Sequence, residues 1–156
     1  MSLSLSCAAV ALDPLINFDS DDRQMNAAIE EARSFLPTVL DHLIAPDGIA
    51  HPALSLKVAV PVDAPGMDNE VIWVDEVRRR GTGLRGELAN EPVYFDGAVG
   101  DHLDFGLDQI ADWGVFGSDG RLYGHYTTRV IVTTLPKKEA KQISDLLSAK
   151  PLPDGW

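Results

Sequence analysis

Cysteine is almost missing from this chain, where Cys7 stands alone. A lone thiol excludes an internal disulfide framework and a thiolate-rich metal site, so a hydrophobic core has to hold the fold. Long apolar runs are missing too, and no stretch reaches the roughly eighteen residues that a membrane-spanning helix needs. Bases are scarce in the front half: residues 1–76 carry 13 acids against 3 bases, whereas residues 77–156 carry 11 against 10. The formal charge of −11 repels phosphate backbones and anionic lipid, both of which demand clustered Lys and Arg, so nucleic acid and membrane are set aside as partners. A basic partner would be steered toward the acidic half, although solubility is the simpler use of that field.

Catalytic signatures are sparse. There is no P-loop and no G-x-S-x-G elbow. The glycines of Gly81-Thr-Gly83-Leu-Arg-Gly86 match G-x-G-x-x-G in spacing, but they open a strand pattern, so no helix N-terminus would face a pyrophosphate. Cys7 has no neighbouring His and is set aside as a nucleophile. His42, His51, His102 and His125 are scattered beyond zinc spacing, and the series Asp96, Asp101, Asp104, Asp108, Asp112 lacks the alternation of a calcium loop. Neither a metal nor a cofactor is expected.

What is present reads as an α+β domain. The 156 residues are 45% hydrophobic, enough for one core. Residues 3–12 are apolar without a basic flank, and residues 1–18 are expected as an extended or frayed segment, or the remnant of a trimmed longer precursor. A single domain over 19–150 and a loose tail at 151–156 follow. Asp19-Ser-Asp-Asp22 announces a helix whose apolar face repeats through Met25, Ala28, Ile29, Ala32, Leu36, Val39, Leu40 and Leu43, with a kink or restart near Ser34 to Pro37. Alternation at 54–60 predicts a strand, followed by a loop at 61–69 and a partner strand at 70–75. Further strands are expected at 84–89, 93–95 and 102–105, with one helical turn at 107–113 capped by Asp108 and a tight hairpin around Ser118-Asp119-Gly120. Residues 126–134, dominated by β-branched side chains, read as the strongest strand, and Pro136 opens a last helix. The expected architecture is a central, mostly antiparallel, strongly bent sheet, with a kinked N-terminal helix and a C-terminal helix packed against it.

Several short motifs occur in a fixed order: Trp73-Val-Asp, Gly86-Glu-Leu-Ala-Asn90-Glu-Pro92, Gly100-Asp101, Ile110-Ala-Asp112-Trp113 and Gly124-His-Tyr126-Thr-Thr-Arg129. With the opening helix from Asp22 to Pro37, this set resembles the YegJ-like bacterial family, domain of unknown function 2314, over about residues 19–132. The resemblance carries over no activity, substrate or cofactor. Two departures are His125, where a small residue is common in that family, and the helix after Pro136, which extends past the shared region.

The candidate binding residues are Trp73, Asn90, Asp101, Asp112, Trp113, Tyr126 and Arg129. Base rates make the three aromatics core residues before they make them a ligand platform, and Asn90 suits a turn. Asp112 is expected to pair with Arg129, pinning the 107–113 turn to the sheet, with a shared polar site as the other reading. Arg78-Arg-Arg80 with Arg85 reads as a solvated basic loop. Two functions follow: a non-catalytic module that binds a protein or a small ligand in the bacterial cytoplasm, or a small hydrolase drawing its general acid or base from Asp112, Asp101 or His125 near Trp113.

Overall fold

The computed structural model describes residues 22–156. Cys7, the apolar stretch at 3–12, the segment assigned to 1–18 and the acids at 19–21 lie outside the described residues. Asp22 caps the first helix, its carboxylate accepting from the Met25 N–H at 3.0 Å. That helix, α1, runs Arg23–Leu43 without a restart, Pro37 included. Its buried positions are Met25, Ala28, Ala32, Leu36, Val39 and Leu40, which form the stripe that the apolar spacing predicts.

Six strands follow: β1 Leu54–Ala64, β2 Met67–Arg80, β3 Gly83–Leu88, β4 His102–Phe105, β5 Ile110–Phe116 and β6 Leu122–Gly124. They form one antiparallel sheet in the order β4-β3-β2-β1-β5-β6, so the fold is α+β. Register breaks at Pro61/Ala64, Lys57/Val58 and Asp75/Arg78 supply the means of bending it. Leu54, Leu56, Val58, Ile72, Val74, Leu84, Leu88, Trp113 and Val115 share one buried cluster with the α1 stripe.

Four expectations need correction. The loop at 61–69 shrinks to Pro65-Gly66, because β1 reaches Ala64 and pairs it with Met67, and Gly66 takes the positive φ of 76° that closes such a turn. Residues 93–95 form no strand, since the N–H groups of Val93 and Tyr94 are held by the Glu70 carboxylate at 2.7 and 2.8 Å. Only Leu107–Gln109 is helical in 107–113, as a 3-10 turn, and Asp108 does not cap it; Gln109 reaches back to the Gly106 N–H, and Ile110–Phe116 pairs with β1 inside the sheet. Residues 126–134 are helical as well: α2 spans Tyr126–Ile131 and continues into a 3-10 turn at Val132–Thr134.

The last helix, α3, covers Lys137–Ser144 and buries Ile143. Beyond it the chain returns to the sheet, where Leu147 bridges Leu122 in parallel. Residues 151–156, expected as a tail, hold the Pro151 carbonyl 2.7 Å from the Gly124 N–H and stack Trp156 on His42 at 4.5 Å. Among the described residues no helix is long and apolar enough to cross a membrane.

Candidate functional site

Register brings the motifs together. Lys57 on β1 pairs with Trp73 on β2 and with Asp112 on β5, so three side chains distant in sequence stand side by side on one face, about 5 Å apart at Cβ. All three are fully buried. Leu56, Val74 and Trp113, one residue along each strand, take the opposite face and join the α1 cluster.

Asp112 explains why residues 126–131 are helical. One of its carboxylate oxygens accepts from the N–H groups of Trp113 at 2.8 Å and Tyr126 at 3.2 Å. The other accepts from the Thr127 N–H at 2.8 Å and the Thr127 hydroxyl at 2.6 Å. A carboxylate supplied from a neighbouring strand therefore satisfies the N–H groups that open α2, a part usually played by the residue before a helix. The Lys57 ammonium donates to the same hydroxyl at 3.0 Å and lies 5.1 Å from the centre of the Trp73 ring. Cation, hydroxyl and carboxylate thus form one buried chain, in which each hydrogen bond polarises the next.

Two left-handed residues let the backbone reach that position. Gly124 at φ 74° lies against the Trp113 carbonyl and indole, where a β-carbon would collide. His125 at φ 52° follows, buried, with its N–H on the Trp113 carbonyl at 2.8 Å. Its ring fills the space that Gly114 leaves by having no side chain and sits 4.9 Å from the Trp73 ring. Tyr126 packs edge-on to Trp113 at 5.6 Å and stacks with Phe35 of α1 at 6.4 Å, and the Trp113 indole N–H donates to the Ala32 carbonyl. Burial pushes the Tyr126 phenol up to about 12, with Glu31 and Asp112 adding to the shift.

Arg129 does not take the place expected for it. It lies on α2, half-buried, and donates to the carbonyls of Gly124 at 2.9 Å and Ser148 at 2.9 Å and to the Ser148 hydroxyl at 3.0 Å. Asp112 exerts an electrostatic pull on it without forming an ion pair, and burial lowers its ordinary pKa. Among the described residues no carboxylate pairs with Arg129. It lines an open cavity of about 300 Å³ with Val132, Ser144, Leu147, Ser148 and Ala149.

Matched to a family model described as an uncharacterized protein conserved in bacteria (DUF2314), the chain aligns over residues 22–147. The chain belongs to the DUF2314 family. That match runs beyond residue 132 and takes in α3. No curated protein and no solved structure matches the chain. In this DUF2314 chain, then, Trp73 and Asp112 flank Lys57 on one face, the backbone N–H groups of Trp113 and Tyr126 bond to Asp112, and Arg129 lies one turn further along α2.

Asn90 and Asp101 serve the neighbouring loop. The Asn90 side chain accepts from the Trp73 N–H at 3.3 Å, and Asp101 accepts from the Ala98 N–H at 2.9 Å. Residues missed from sequence are Lys57 and Glu70, both buried. Parity was the available signal for Glu70, which shares a face with Ile72 and Val74 along β2. Lys57 carried a weaker one, as the single charge within 54–60.

A second groove, of about 270 Å³, lies where β2, β3 and β4 meet residues 49–50. Of its lining residues, Arg85 holds Asp104 through two hydrogen bonds of 2.6 and 2.9 Å, and the His102 ring lies 3.5 Å from Glu87. Arg78 and Arg79, expected in a loop, lie in the ladder opposite Arg85 and Leu84. Among the described residues no group of His, Cys, Asp and Glu side chains is placed to hold a metal ion.

Proposed function

We propose that this protein is a binding module that recognises a small ligand or a protein partner without transforming it. One observation carries the reading. The Asp112 carboxylate, the leading acid-base candidate, is inaccessible to solvent and has both oxygens occupied by two donors each. A general base needs a free lone pair within reach of a substrate proton. Asp101 lies exposed on the loop after β3, away from the Asp112 chain, with one oxygen accepting from the Ala98 N–H, and the His125 ring is packed between Trp73 and Gly114. The polar residues of the family motifs position backbone, and the open cavities lie beside them.

The test is a thermal-shift panel of metal ions, nucleotides, sugars and amino acids, since a compound that binds only the native state raises the melting temperature. Each compound giving a shift is then incubated with the protein and followed by NMR. A stabilising compound recovered unchanged is the expected result. Conversion of that compound, abolished by His125→Gln in a protein that melts normally, would replace this reading with the hydrolase.

A further inference from the structure

The Arg129 cavity has features that the buried chain lacks. Its guanidinium is held rigid by the two carbonyls and the hydroxyl, with a longer contact of 3.5 Å to the Leu122 carbonyl. These are neutral acceptors, so they orient the group and leave its charge uncancelled. Of the five N–H groups of an arginine, one on Nη1 keeps no acceptor among the described residues. Ser144 and Ser148 border the same space, where the Ser148 hydroxyl accepts from Arg129 and donates to the Lys150 carbonyl.

The surroundings point the same way. Residues 121–156 hold six bases, Arg121, Arg129, Lys137, Lys138, Lys141 and Lys150, against the three acids Glu139, Asp145 and Asp154. In a chain of net charge −11 this is a local reversal of sign. Lys141 and Lys150 are offset by Asp145 and Asp154 at 2.6 and 3.6 Å, and Arg121 faces Asp119 electrostatically, so the unmatched bases of this segment are Arg129 and, against Glu139, Lys137 and Lys138. A partly desolvated, preorganised guanidinium with no carboxylate partner suits an oxyanion, which it meets through charge-assisted hydrogen bonds. The cavity is open to solvent, and its volume of about 300 Å³ admits an ion the size of phosphate or succinate.

We infer that the cavity lined by Arg129, Ser144 and Ser148 binds a small anion through its carboxylate or phosphate group. This deepens the binding-module reading and rests on it. Inorganic phosphate and succinate are the probes, each titrated into the isotopically labelled full chain at constant ionic strength, with the Arg129 Nε–H and the amides of Val132, Leu147 and Ser148 followed by NMR. Saturable shifts confined to these groups are expected. Phosphate acting alone identifies a phosphoryl ligand, and succinate acting alone a carboxylate.

Ser144→Glu sets a competing carboxylate at the cavity from an exposed position and leaves the contacts of Arg129 in place. It should weaken probe binding about tenfold to a hundredfold, the loss expected when a charged hydrogen bond is removed. Ala149→Glu, at a second exposed lining position, should do the same. Absence of saturable shifts with both probes overturns the anion site. So do shifts that persist unchanged in the two glutamate variants, since those report general salt exclusion. The ligand panel above can still succeed after that outcome, so the two readings fail separately.

Discussion

Removing the Asp112 carboxylate strands the Tyr126 and Thr127 N–H groups and the Thr127 hydroxyl, and leaves the Lys57 charge with a weakened chain. Asp112→Ala is therefore expected to cost about 3 kcal/mol or more, read as a fall in the urea midpoint. Adding Lys57→Met should recover part of that loss, because the second change removes the buried cation that the first exposed; a purely additive double variant would show that the two groups are uncoupled. Tyr126 gives the pH dependence. Its phenol, raised to about 12, stays neutral in the folded protein well above the ordinary 10.0. The stability it contributes is complete below 10.0 and lost as pH rises through about 12. Phenolate absorbance after a rapid pH jump should show a late step near 12 that Tyr126→Phe removes.

At the scale of elements, what was legible in sequence was whatever short-range pattern decides. The α1 stripe, the Asp22 cap, the β1–β2 hairpin and the glycine entry to β3 rest on neighbours three or four residues apart, or on alternation. Residues 126–131 were misread because β-branched alternation at Thr127, Thr128, Val130 and Ile131 favours a strand, while the cap that makes them helical comes from a residue 14 or 15 positions earlier. The Asp112 partner was misread for the same reason: moving α2 out of the sheet carries Arg129 to Ser148 and leaves Thr127 and Lys57 facing the carboxylate. Glu70 exerts comparable long-range control over the loop after β3. Glu70→Ala should free the Val93 and Tyr94 amides, raising their hydrogen exchange by roughly tenfold to a hundredfold, as the loss of hydrogen bonds to a buried charged group implies, while α1 exchange stays as it was.

At the scale of the whole molecule, the last residues are part of the structure that holds β6. Leu122 exchanges backbone bonds with Leu146 and Ser148, the Gly124 N–H uses Pro151, and Leu152 and Trp156 pack against the core. Ending the chain after Lys150 should lower stability by about 2 kcal/mol, from one unsatisfied N–H and the lost apolar burial, measured as a drop in melting temperature. The parallel Leu122–Leu147 bridge has a further consequence for aggregation. β6 is an end strand of the sheet, and its outer edge stays covered only while residues 146–151 remain bound to it. Local opening of that segment bares an unpaired edge able to pair with another chain, so the chain ended after Lys150 should aggregate faster than the full chain at a temperature where both are still folded.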